Sequence, residues 1–120
     1  MAAARAPLQG VTVLVVEDTW HVAEVLRRTL ERAGAKVIGP AGTLADARRL
    51  AETGHFDCAV LDLELGDHSA EALAGQLADN GVKVVLLTAF ALPTSLAGRV
   101  HAHLSKPTQP KDLIDALCPG

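Results

Sequence analysis

Apolar positions along the chain follow two alternating rhythms. Residues 11–16, 36–39, 57–61, 83–87 and 101–104 form short runs, β-branched or Leu-rich, of strand length. Between them the spacing is helical. Val22, Val25, Leu26 and Leu30 mark a first helix, closed by Gly34 as its C′ residue. Leu44, Ala47, Leu50 and Ala51 mark a second, with Thr43 as N-cap and Gly54 at its end. Ala70, Leu73, Ala74 and Leu77 mark a third, with Ser69 as the candidate cap. Leu113, Ile114 and Leu117 mark the last, which begins near Pro110 as an N1 residue. Strands alternating with helices predict βαβ units, a parallel sheet and right-handed crossovers. The first, third and fourth strands are almost continuously apolar, as central strands covered on both faces should be. Residues 88–100 break the rhythm: with Pro93, Gly98 and little helical spacing, they have room for at most a short helix or a turn.

The length of 120 residues predicts one domain, with its core over residues 11–117 and residues 1–8 flexible. Trp20, Phe56 and Phe90 are the only aromatic residues, so the core has to be built from Val, Leu, Ile and Ala. A formal net charge of −3 without a basic stripe argues against direct nucleic-acid binding. No apolar run approaches the ~20 residues of a membrane span, and the N-terminus lacks a signal-peptide core. Cys58 and Cys118 fit no disulfide or zinc framework, and Cys58 reads as a core residue. A cytoplasmic location is the resulting expectation.

In a doubly wound sheet, ligands bind beyond the carboxyl ends of the strands. The first strand runs into Glu17-Asp18, the third into Asp62, the fourth into Thr88 and the fifth into Lys106-Pro107. Singly, each of these is an ordinary cap or solvated turn residue. Together they converge, because neighbouring strands lie only ~5 Å apart. Two unit charges ~4 Å apart repel by ~4 kcal/mol at an effective dielectric of ~20. Three carboxylates in one cleft therefore call for a cation, and an all-oxygen donor set suits Mg²⁺.

The segments VEDTW, VLDLELG, LLTAF and LSKP, in this order and at these strand ends, resemble the receiver domain of two-component response regulators. The stretch GPAGTLADA is also similar to a subgroup of short, stand-alone bacterial receivers. The resemblance implies a flavodoxin-like α/β fold, with a five-stranded parallel sheet in the order 2-1-3-4-5, helices on both faces and a short or distorted fourth crossover helix. It implies Asp62 as phosphoacceptor, charged from the phosphohistidine of a sensor histidine kinase. Asp18, Asp62, the backbone carbonyl of Glu64 and, through water, Glu17 would hold Mg²⁺, with Mn²⁺ as a substitute. Lys106 would pair with Asp62 and then with the phosphoryl oxygens, and Thr88 would bond the phosphoryl group and move toward it. Pro107 would follow a cis bond. Glu64 and Phe90 occupy positions at which the family tunes dephosphorylation. Output would pass to a histidine phosphotransfer protein or another downstream protein, with homodimerisation an open option. Such a domain is no enzyme beyond its own phosphorylation and dephosphorylation.

The chain departs from the family pattern in four places. The segment from Thr88 to Lys106 is shorter than usual. His103 stands where a switch aromatic is expected, either as a pH-sensitive switch or as a solvated edge residue; with His101 it shares a strand face but lacks a third metal ligand. Thr108 replaces the usual Phe, and LELGDHSAEAL follows Asp62 in place of the typical loop. Trp20 stands beside the acid pair, where it reads as a packing residue at the rim. Two rivals follow. A haloacid-dehalogenase-like phosphatase would need a second Asp where Glu64 stands. A pseudo-receiver would keep the fold as an interaction module without phosphorylation.

Overall fold

The computed structural model describes residues 6–119. Five parallel strands form the sheet: β1 Thr12–Val16, β2 Lys36–Ala41, β3 Cys58–Asp62, β4 Lys83–Thr88 and β5 Ala102–Ser105. Their order is β2-β1-β3-β4-β5, the flavodoxin-like arrangement. Among the described residues, four α-helices complete it: α1 Trp20–Arg32, α2 Leu44–Thr53, α3 Glu71–Asp79 and α4 Pro110–Leu117.

The continuous apolar runs have a direct explanation in how the two faces are covered. Leu14, Val16, Ala59, Leu61, Val84 and Leu86 pack on one face with Ala47 of α2 and Leu73, Ala74 and Leu77 of α3. Val13, Val15, Cys58, Val60, Val85 and Leu87 pack on the other with Leu26 and Leu30 of α1 and Leu113 and Leu117 of α4. Successive strand residues point to opposite faces, so a strand buried on both sides must be apolar throughout. Register ties the three central strands level: Val15 lies opposite Val60, which lies opposite Val85.

Local chemistry sets the helix ends. The Thr43 hydroxyl accepts the Asp46 N–H at 3.1 Å and caps α2. Gly34 follows α1 with φ 101, the left-handed conformation that glycine adopts without penalty. Pro110 opens α4, where a missing N–H costs nothing. At α3 the cap position falls on Ala70, although the Ser69 hydroxyl still accepts the Glu71 N–H at 3.1 Å.

Other expectations need correction. Residues 1–5 lie outside the described residues, but the flexible start expected through residue 8 does not hold at Leu8. That side chain is fully buried, and its N–H donates to Ala33 O at 2.7 Å. Val25 is 57% exposed and Trp20 78% exposed, so neither packs inward; the buried stripe of α1 is Ala23, Leu26 and Leu30. β2 extends two residues past its expected end, through Gly39 (φ 96) and a cis Gly39–Pro40 bond. A Cβ at Gly39 would sit 2.8 Å from Val15 O, so the close approach of β1 requires glycine there.

The fourth crossover holds a single 3₁₀ turn, Thr94–Leu96. Leu96 anchors it, buried against the α2/α3 face. Arg99 ties it to α3, with Nη2 at 2.9 Å from Asp79 Oδ2 and Nη1 donating to Ser95 O at 2.8 Å. The guanidinium lies over Gly75, where a Cβ would approach Nη2 to 2.7 Å.

Candidate functional site: an acidic pocket at the strand ends

Strand pairing carries the acidic residues to one level. Val16 is opposite Leu61, so the residues that follow, Glu17 and Asp62, emerge side by side. The pairing continues past the strand ends: Glu17 N–H donates to Ala41 O at 3.0 Å, Leu63 N–H to Leu87 O at 3.0 Å and Lys106 N–H to Thr88 O at 3.1 Å. The loops that hold the site thus start from fixed backbone.

Carboxylate oxygens of Glu17, Asp18 and Asp62 lie within 4.8 Å of one another. Glu17 and Asp62 are buried, at 1% and 2% exposure, and Asp18 faces outward. Lys106 Nζ donates to Asp62 Oδ2 at 2.7 Å and stands 3.5 Å from Glu17 Oε1, an ion pair without a hydrogen bond. Among the described residues, Glu17 Oε1 is the one buried side-chain oxygen or nitrogen lacking a hydrogen-bond partner. Such an atom costs free energy unless something else satisfies it. Burial, reinforced by the neighbouring Asp62 carboxylate, pushes the Glu17 carboxyl up to about 7, against the opposing pull of the Thr19 N–H and Lys106. Burial pulls the Lys106 ammonium down, but Asp62 and Glu17 outweigh it and hold it above its ordinary value. One ammonium against three carboxylates leaves the pocket short of positive charge. An orphaned buried oxygen and an all-carboxylate donor set fit a hard divalent cation.

The loop after Asp62 is better organised than its sequence suggests. Glu64–Leu65 and His68–Ser69 pair as a short antiparallel ribbon around Gly66 (φ 58). Gly66 N–H donates to Asp18 Oδ2 at 2.8 Å, and Glu64 N–H donates to Asp62 Oδ1 at 3.1 Å. The Glu64 side chain accepts the hydroxyl proton of Thr88, whose Oγ1 is 3.0 Å from Oε1 and 3.2 Å from Oε2. Sequence reading missed the contacts of Gly66 N–H and the Glu64 carboxylate. The Gly66-Asp67 dipeptide was the available signal, a hairpin-turn pair, but its flanks are not strand formers.

Of the remaining candidates, the Lys106–Pro107 bond is cis. Phe90 is 70% exposed, and its N–H donates to Thr88 Oγ1 at 3.0 Å. His101, just before β5, and His103, within it, are exposed, and no metal-binding cluster includes them among the described residues. Trp20, expected to pack at the rim, instead stands out in solvent at the start of α1, bordering the recess formed with Glu17 and Asp18.

A doubly wound parallel sheet with a buried Asp, an acid pair and a Lys at its carboxyl edge defines a receiver-type architecture. Comparison with known proteins agrees: the response regulator receiver domain model matches residues 13–118, and the chain belongs to that family. It is 32% identical over 111 residues to the swarming motility regulation protein RssB of Serratia marcescens, a match covering 88% of this chain and 50% of RssB. It is 30% identical over 111 residues to the transcriptional regulatory protein PdtaR of Mycobacterium tuberculosis, covering 88% and 54%. The chain therefore spans about half the length of the curated relatives it matches. A receiver domain from Methanospirillum hungatei superposes with a TM-score of 0.78 at 25% identity, over 87% of each chain. A Burkholderia pseudomallei response regulator, solved with a phosphorylated aspartic acid, a calcium ion and citrate, superposes at 0.77 with 28% identity, over 88% of this chain and 65% of that one. Receiver domains act with histidine kinases in two-component signalling and are not, in general, enzymes. Among the described residues no helix is long and apolar enough to cross a membrane.

Proposed function

We propose that this chain accepts a phosphoryl group on Asp62 from the phosphohistidine of a sensor kinase or phosphotransfer protein, and signals through the resulting change around Thr88. The observation that carries this reading is the setting of Asp62: buried, bonded to Lys106 at 2.7 Å and gathered with Glu17 and Asp18 within 4.8 Å. The phosphorylated aspartic acid and calcium ion of the Burkholderia relative support it.

Transfer requires an Asp62 carboxylate oxygen to bond to phosphorus as the phosphorus–nitrogen bond breaks, leaving the electron pair on the imidazole. Lys106, bonded to Asp62, offsets charge on the phosphoryl oxygens. Asp18, Asp62, Glu17 and the Glu64 carbonyl are the residues that would hold Mg²⁺, or Mn²⁺ in its place. When bound, such an ion supplies further charge neutralisation. The Thr88 hydroxyl is the donor that would turn to the product. An apolar groove of about 420 Å³ beside Lys106, lined by Val22, Val25, Leu26 and Pro107, supports the partner assignment. It offers a phosphohistidine-bearing protein an apolar ledge next to Asp62.

The test is acetyl phosphate with Mg²⁺, read by intact mass, beside a titration of Trp20 fluorescence with Mg²⁺ and then beryllofluoride. The expected result is gain of one phosphoryl group and a fluorescence response to beryllofluoride, both lost in Asp62→Ala. Absence of modification in the wild type would leave the receiver fold as an interaction module only.

A further inference from the structure

Thr88 has one hydroxyl proton to give, and in this structure Glu64 takes it. Both carboxylate oxygens of Glu64 are within 3.2 Å of Thr88 Oγ1, and the same oxygen accepts the Phe90 N–H at 3.0 Å. Thr88 is fully buried at the end of β4. Glu64 is also bonded to the phosphoacceptor, through its own N–H on Asp62 Oδ1 at 3.1 Å. One residue therefore grips Asp62 with its backbone and Thr88 with its side chain.

We infer that Glu64 is a positioning residue that latches the Thr88 hydroxyl, so that a phosphoryl group on Asp62 has to displace it before Thr88 can respond. The inference rests on Asp62 being the phosphoacceptor. A hydroxyl with one proton serves one strong acceptor at a time, so the Glu64 carboxylate and the phosphoryl oxygens compete for it. Hydrogen bonds to charged groups shift an equilibrium by about tenfold or more. A binding form populated only to that fraction lowers apparent affinity by the same factor. The latch also has a built-in release. A phosphoryl group brings negative charge next to an anionic side chain, and like charges at short range repel. The incoming group therefore weakens the contact that opposes it.

Two measurements test the latch, one of them free of any ligand. In the unliganded protein, three-bond couplings across the Thr88 side chain should report a single rotamer. They should average in Glu64→Ala and lie between in Glu64→Gln, which keeps an acceptor but not the charge. With Mg²⁺ present, beryllofluoride should bind about tenfold more tightly to Glu64→Ala than to the wild type. That gain should vanish when Thr88→Val is added, because the hydroxyl is then gone. An unchanged Thr88 rotamer in Glu64→Ala would overturn the latch. So would an equal gain in the Thr88→Val background, which would mean that Glu64 acts by charge alone. A wild type that takes up no beryllofluoride while the variant frees the rotamer would sink the phosphoacceptor reading instead, and the gating role with it.

Discussion

At the scale of single residues, Glu17 carries the sharpest consequence. Its carboxyl is raised to about 7 by burial, whereas in the unfolded chain it titrates near 4.5. The folded state therefore holds a proton that the unfolded state has lost across this window, and stability falls as pH rises from about 4.5 to about 7. In metal-free solution Glu17→Gln should stabilise the protein at pH 8 by on the order of 2 kcal/mol. The gain should fade by pH 4.5, as read by denaturant unfolding at both pH values. A gain that does not change with pH would show that Glu17 is not the group responsible. Legibility at this scale was uneven. Glu17, Asp18, Asp62 and Lys106 could be placed together because strand ends have few places to go in a parallel sheet. The side-chain bond from Thr88 to Glu64 could not, since it depends on a ribbon turn four residues beyond Asp62.

Among the elements, the fourth crossover is where local sequence and tertiary packing divide the work. Lacking helical spacing, it keeps its place through one buried side chain, Leu96, and surface ties to α3 from Arg99 and from Ser95, whose hydroxyl donates to Glu71 Oε2 at 2.9 Å. Truncating a buried Leu costs about 2–5 kcal/mol, whereas an exposed ion pair contributes about 0–1 kcal/mol. Leu96→Ala should thus lower global stability by a few kcal/mol. Arg99→Ala should leave thermal stability nearly unchanged and raise amide hydrogen exchange at Leu96 and Val100. Equal global losses in the two variants would contradict this division. The sequence foretold the segment's lack of a full helix, from Pro93, Gly98 and the missing periodicity. It could not foretell the ties, because Arg99 meets Asp79 and Gly75 only through the fold. Val25 misled for a related reason: it sits at core-like spacing, but α1 turns it toward the groove beside Lys106.

For the whole molecule, the pattern of strands and helices was legible because each central strand is covered on both faces, which forces the apolar runs that give it away. The same architecture gathers like charges at one edge of the sheet, so a bound cation should stabilise the entire fold. At a Mg²⁺ concentration one hundred times its dissociation constant, linkage gives about 2.7 kcal/mol. The corresponding rise in melting temperature should be lost in Asp18→Asn, and a rise of the same size in that variant would place the ion elsewhere. The two borders of the sheet have their own consequence. β2 carries an irregular register against β1 and Pro40, which has no N–H to donate. β5 is four residues long, with exposed His103 and Ser105, and runs directly into Lys106-Pro107. A strand from another molecule would find only broken rows of donors and acceptors along either border. Self-association by strand addition is therefore disfavoured, and copies that meet have helix and loop surfaces to use instead.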